Sequence, residues 1–250
     1  MTLQYSIVGQ ETQGLIISLA PNQSVRSEAG AMLLMTDGIE MQTKATGGAW
    51  KSLKRTMAGE SFFLTTFKNN NPSPAQVIMS APYPGKIISI KPNDFGGEFI
   101  CQRDAFLCAE ESINVDISFS KKIGAGFFGG EGFILQKISG EGEALIHSGG
   151  TEIKIELQAG EKLRVDTGCI VGFASSVSYD IQFTGGFKNT LFGGEGLFLA
   201  TLTGPGTVYI QTMPFSKLAD RLSAAHRGAQ AGGNSKGILG VVNAITDSSR

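Results

Sequence analysis

The nine residues FFGGEGFIL at 127–135 return almost unchanged as LFGGEGLFL at 191–199, and a looser version, MAGESFFL, stands at 57–64. Self-similarity at a fixed spacing is the signature of a repeated structural unit. Each copy places one acid, Glu60, Glu131 or Glu195, in a Gly-rich turn and follows it with FFL, FIL or LFL. Glycine lets the chain turn sharply, and the apolar triplet then reads as a strand that packs inward.

Three further markers accompany that motif in the same order. IISLAPN at 16–22 matches IISIKPN at 87–93, with KIELQAG at 154–160 as a looser third copy. Each alternates apolar and polar residues before Pro-Asn or Ala-Gly, which predicts a strand running into a turn. An acid then precedes a new apolar strand: Glu28 in RSEAGAMLLM, Asp104 in QRDAFLCAE and Asp166 in RVDTGCIVGF. The acid comes 7 residues after the turn in copies one and three and 12 after it in copy two, so copy two is expected to carry about five extra residues near DFGGE at 94–98. Last, QVIMS at 76–80, ALIHS at 144–148 and VYIQT at 208–212 form a closing strand, 18, 15 and 15 residues from the motif glutamate to the aligned isoleucine. The longer spacing in copy one falls at KNNNPSP, 68–74, where lengthening a loop costs little.

Four markers repeated three times in order predict three β units, near 12–80, 84–148 and 151–213, with a lead-in strand at Tyr5 to Val8. No amphipathic helix is expected before residue 216. Short, closely spaced strands between turn signals make this an all-β chain of pseudo-symmetric antiparallel units, sandwich or barrel-like. The expected organisation is a repeated core over 1–213 followed by a short helix and a flexible, Gly-rich, apolar-ended tail over 214–250.

Composition agrees. Charged residues are 17% of the 250, against about 25% in ordinary soluble domains, and there are 34 glycines. A net charge of −1 supplies no basic field for a phosphate backbone, which argues against general nucleic-acid binding. The N-terminus, MTLQYSIVGQETQ, has neither the basic start nor the apolar run of a secretory leader, and no stretch reaches 18 apolar residues. Three cysteines, Cys101, Cys108 and Cys169, form no paired framework; a cytoplasmic location, where they stay reduced and act as small hydrophobes, is expected.

RSEAGAMLLM, the Pro-Gly turn in APYPGKIISI and the hairpin tip TGGFKNTLFGGEGLFLATLTGPG together resemble the bacterial and archaeal homologues of the mitochondrial-biogenesis, or altered inheritance of mitochondria, proteins. The resemblance covers nearly all of residues 3–213. It implies a fold related to the trp RNA-binding attenuation protein, with duplicated units like a double-stranded β-helix that associate into compact oligomers. It also implies a link, in the mitochondrial members, to inner-membrane organisation. It carries no catalytic residues onto this chain.

The residues themselves offer few sites. GAGFFG at 124–129 satisfies the dinucleotide pattern GxGxxG, but that chemistry needs the glycines to open a helix, and GEGFILQKI that follows is a strand. GAQAGGNSKG at 228–237 lacks the Gly-Lys-Ser/Thr ending of a phosphate loop and reads as linker. No cofactor is expected. His147 aligns with Met79 and Gln211 of the other copies, and neither it nor His226 has ligands at metal-binding spacing. The candidates for a divalent cation are Glu60, Glu131 and Glu195, which converge if the units share an axis; the alternative is that each carboxylate accepts amides of its own turn.

Basic and aromatic residues cluster at the same three tips: Trp50, Lys51, Lys54 and Arg55; Lys121, Lys122, Phe127 and Phe128; Phe187 and Lys188. Tips of that chemistry suit a protein partner or an anionic membrane surface. FSKLADRLSAAHR at 215–227 predicts a short helix capped by Ser216, and ILGVVNAI at 238–245 is apolar but too short to span a bilayer. The expectation is a non-enzymatic, cytoplasmic homo-oligomeric scaffold, peripheral to membrane if it meets one. The alternative is a small-ligand or metal-binding module, enzymatic or not, with sites in clefts between units or subunits.

Overall fold

The computed structural model describes residues 2–45, 63–121, 133–183, 198–219, 221, 222 and 225. It divides into two units, Met1–Pro214 and Phe215–Arg250. The described part of the second is helical, at residues 215–219, 221, 222 and 225. The described residues of the first form nineteen strands.

The repeat is written in the strands. Copy one runs β2 (Gly14–Leu19), β3 (Ser24–Glu28), β4 (Met32–Met35), β5 (Ile39–Ala45), β6 (Phe63–Asn69) and β7 (Ala75–Ser80). Copy two runs β8 (Gly85–Ile90), β9 (Glu98–Gln102), β10 (Phe106–Glu110), β11 (Asn114–Lys121), β12 (Phe133–Ser139) and β13 (Ala144–Gly149). Copy three runs β14 (Glu152–Leu157), β15 (Lys162–Asp166), β16 (Ile170–Ala174), β17 (Ser178–Phe183), β18 (Phe198–Thr203) and β19 (Gly206–Gln211). The lead-in strand β1 (Gln4–Val8) pairs with β2. Every copy makes the same antiparallel pairs. The sixth strand lies between the first and the third, and the fifth lies between the second and the fourth. The chain is therefore all-β, with two three-stranded layers per unit.

Units join by one rule: the third strand of each later unit pairs with the second strand of the unit before it. Ser27, Arg26 and Val25 on β3 face Cys108, Ala109 and Glu110 on β10. Cys101, Ile100 and Phe99 on β9 face Gly172, Phe173 and Ala174 on β16. Two six-stranded sheets result, β5-β6-β3-β10-β13-β8 and β11-β12-β9-β16-β19-β14, with β1-β2-β7-β4 and β15-β18-β17 at the two ends.

Three cores lie between consecutive sheets. The first joins Leu15, Ile17, Val77 and Met79 of the first sheet to Val25, Phe67, Leu107 and Leu145 of the second. The next joins Ile88, Ile90, Phe106 and Ile146 to Phe99, Cys101, Ile138 and Val171. The last joins Ile100, Phe133 and Phe173 to Val165, Ile181 and Leu202. This stacking explains the burial patterns. In β2, which meets a core on one face only, fully buried and half-buried residues alternate. β13 and β16, in sheets covered on both faces, are buried throughout, as expected when both sides of a pleat meet apolar surface. Burial at this scale makes Phe67, Phe99, Phe106, Phe133 and Phe173, each 0–1% exposed, the heaviest contributors, at about 3–5 kcal/mol per Phe-to-Ala truncation.

Pairing registers correct two sequence alignments. Glu28 faces Leu64, Gln102 faces Leu135 and Asp166 faces Leu199. The counterpart of Glu28 in copy two is therefore Gln102, and Asp104 comes two residues later, in the 3-10 turn Arg103–Ala105. Each of these three residues stands four before its third strand, which starts at Met32, Phe106 and Ile170. The added length of copy two lies wholly in the 91–97 connection, which coils into the 3-10 turn Pro92–Phe95. The equivalent third strands set Met32 against Met79, Phe106 against Ile146 and Ile170 against Ile210, so Ser80, His147 and Gln211, the residues that follow, correspond, and the counterpart of His147 in copy one is Ser80 and not Met79. A one-residue slip of this kind turns a side chain to the opposite face of the sheet.

Candidate functional site at the junction of the first two units

Most of the sequence-predicted site lies outside the described residues: Glu60, Glu131 and Glu195, and at the tips Trp50, Lys51, Lys54, Arg55, Lys122, Phe127, Phe128, Phe187 and Lys188. Lys121 ends β11, and its side chain is outside the description. What the structure does fix is where these segments are attached. Residues 46–62, 122–132 and 184–197 connect the fourth strand to the fifth in all three units, and those strands pair antiparallel. The tips are thus borne on three equivalent hairpins.

The titratable groups that the described structure brings together lie where unit one meets unit two. Glu28 ends β3. Arg103 and Asp104 form the turn into β10, which pairs with β3. Arg103 donates to the Asp104 carboxylate from Nε and from a terminal nitrogen, both at 3.2 Å. Burial pushes the Glu28 carboxyl up to about 7; the Asp104 charge adds to the rise and Arg103 opposes it. Tyr83, from the β7–β8 connection, is buried beside them. Its hydroxyl is raised well above the ordinary range by burial, then by the charges of Asp104 and Glu28.

His147 completes the cluster from β13. Its ring meets that of Tyr83 edge-on at 4.7 Å, and a hydrogen bond ties it to the Tyr83 main chain. Burial brings its pKa down to about 4, against that hydrogen bond, so the imidazole is neutral at pH 7. Among the described residues its Nδ1 has no partner. The corrected alignment explains why a polar residue stands there. Gln211, its counterpart, is also buried. It accepts from the Gly149 amide and donates to the Gly168 carbonyl, both at 2.8 Å. Both residues strap the closing strand to the connection that leads into a unit's first strand. Gly85 and Gly149 leave the room: a Cβ at Gly85 would strike the Ser148 carbonyl and the His147 ring.

The other acids have local duties. Asp166 accepts from the Gly168 amide at 3.0 Å and caps its 3-10 turn. Glu143, which no sequence motif singles out, is buried and accepts from the Tyr5 hydroxyl at 2.7 Å and from Ser89. It pins the lead-in strand to the second unit. Cys101 and Cys108 are fully buried, and burial pushes both thiols far up; Cys169 is half-buried. Among the described residues no three His, Cys, Asp or Glu side chains gather as a metal site would need, and no helix is long and apolar enough to cross a membrane.

Three copies of one six-stranded β unit, fused strand to strand and closed over a polar junction, define a class of all-β repeat proteins. The chain belongs to the mitochondrial biogenesis AIM24 family, whose model matches residues 5–213. It is 28% identical over 214 residues to an uncharacterized protein of Streptococcus pyogenes serotype M6, covering 82% of this chain and 84% of that one. A crystal structure of a Streptococcus pyogenes protein superposes with a TM-score of 0.74 at 25% identity, covering 89% of this chain and 99% of that one.

Proposed function

We propose that the chain is a non-enzymatic, cytoplasmic β scaffold that assembles with itself and acts through its hairpin tips and tail on a protein partner or an anionic membrane surface. One observation carries the reading: three equivalent hairpins each bear a segment combining basic and aromatic residues. A surface that repeats such a segment binds by multivalency, where each weak contact raises the effective concentration for the next. Replacing Lys51, Lys54, Arg55, Lys121, Lys122 and Lys188 by Ser tests it. The variant should keep the wild-type melting temperature and lose sedimentation with vesicles containing anionic lipid, or capture of a partner. Undiminished binding refutes the tip reading.

A second reading rests on the Glu28 cluster. A carboxyl pushed up to about 7 beside a buried tyrosine and an imidazole with an unpartnered nitrogen is an arrangement able to hold a polar small molecule or to move a proton. Structural networks shift pKa values too, and the shared strap role of His147 and Gln211 favours that account. A thermal-shift screen against divalent ions and common metabolites separates the two, because a ligand at 100 times its dissociation constant adds about 2.7 kcal/mol. A flat screen removes the ligand reading.

A further inference from the structure

The two seams between units share one register and differ in charge. Each is a ladder of three pairs, β3 with β10 and β9 with β16. Each stops one residue short of the place held by Glu28 in the first seam and by Gln102 in the second. The second seam is apolar along its length: Phe99, Ile100, Cys101, Phe173 and Ala174 are 0–6% exposed. The first carries charge in alternate places. Arg26 stands where the second has Ile100, and Glu28 where it has Gln102.

The ends of the first seam are opposite in kind. At one end unit one grips unit two: Ser24 donates to the Glu111 carboxylate, and Arg26 donates to the Glu111 carbonyl at 2.7 Å and to the Ile113 carbonyl. At the other end two acids meet, Glu28 closing β3 and Asp104 arriving in the turn before β10. Arg103 engages Asp104, whereas the Glu28 carboxylate accepts no hydrogen bond among the described residues. Asp166, in the same place of copy three, accepts the Gly168 amide of its own turn. The other neighbours of Glu28 are Leu64, opposite it on β6, and Tyr83, from the β7–β8 connection and backed by the neutral His147. Lys44 stands beyond Leu64 on β5, and its side chain is outside the description. Burial and the Asp104 charge both disfavour an ionised Glu28, which titrates at about 7, and Arg103 opposes them. Once both acids are charged, their repulsion and the hydration that a buried charge gains on exposure act at this end alone. Openings of a few residues at such weak points are ordinary in folded proteins.

We propose that the first seam is a proton-controlled joint: it pivots on the grip at Ser24 and Arg26, is shut when Glu28 is protonated, and parts at the Glu28–Asp104 end when both acids are charged, while the second seam has no such response. Glu28 also faces Leu64 on β6, and β6 pairs with β5 to form the hairpin that bears the first tip. The joint therefore loosens the base of that hairpin and leaves the other two unchanged. The proposal goes beyond the scaffold reading and is independent of what the tips bind.

The test is hydrogen exchange of the full chain, read by mass spectrometry, with each rate divided by the intrinsic rate at that pH. A carboxyl that titrates at about 7 in the closed seam and about 4.5 in the open one makes the opening constant rise about tenfold from pH 6 to pH 8. Peptides covering 24–31 and 105–110 should show that rise, and at pH 8 they should exchange faster than peptides covering 98–102 and 170–174. Glu28→Gln should abolish the rise. Asp104→Asn should reduce it without abolishing it, because burial is the larger cause. Equal exchange at the two seams at pH 8 overturns the proposal, since both would then be exposed by global unfolding alone. So does a rise that survives in Glu28→Gln. A rise that extends to residues 111–116 overturns the pivot, because the grip would then part with the rest of the seam.

Discussion

Replacing Glu28 by Gln should stabilise the protein at pH 8 and leave it unchanged near pH 4. The carboxyl titrates near 7 in the folded chain, because burial, and then Asp104, disfavour its charge. Its unfolded value is about 4.5. A group whose pKa is raised on folding contributes stability that is complete below the unfolded value and is lost as pH climbs through the folded one. Two and a half units at 1.36 kcal/mol each make that contribution about 3 kcal/mol. Glutamine keeps the shape and carries no charge, so its advantage over wild type should grow from nothing at pH 4.5 to about 3 kcal/mol at pH 8. For a core of this size that is roughly 6–12 °C in melting temperature. His147 supplies an internal check. Its pKa falls from 6.5 to about 4 on folding, so its contribution is complete above 6.5 and is lost as pH falls toward 4. Between about 4.5 and 6.5 the two groups act in opposite directions, and wild-type stability should be nearly flat. In Glu28→Gln the histidine is unopposed, and stability should drop by about 1.4 kcal/mol per pH unit there at its steepest. Melting curves or guanidinium titrations at half-unit pH steps measure both. A pH-independent difference between the two proteins, or a variant less stable at pH 8, would refute the reasoning.

The same geometry sets other expectations. His147→Gln, which installs the residue that copy three uses, should hold the fold at pH 7, while His147→Ala should cost about 1–3 kcal/mol by stranding buried polar groups; only the first should also abolish the acid-side loss without destabilising the neutral-pH protein. Gly85→Ala should lower stability by about 2–3 kcal/mol, because its methyl would meet the Ser148 carbonyl and the His147 ring; calorimetry checks it, and a neutral effect would show that the strand can shift. A thiol reagent should modify no more than one cysteine of the native protein, Cys169, and three after denaturation; fast reaction of Cys101 or Cys108 would contradict their burial.

By itself the sequence determined the class of fold. Alternation in IISL and its copies follows the two-residue period of a strand, and GGEG punctuates each hairpin; both signals are local, so they survive without a structure. The sequence misplaced Asp104 and His147 by two residues and one, because letters can be aligned without knowing where a loop has grown, whereas pairing register counts residues from the neighbouring strand.

Only the tertiary structure decided the rest. That the third strand of one unit lies beside the second strand of another is a contact between residues some eighty positions apart, such as Ser27 and Cys108, and no local pattern encodes it. The raised carboxyl of Glu28 depends on burial beneath a turn from another unit and on Asp104 arriving from that turn. MLLM and FLCA read alike as apolar strands. One is exposed and the other buried because folding gives β10 a strand on each side, whereas among the described strands β4 has one on one side only, β7.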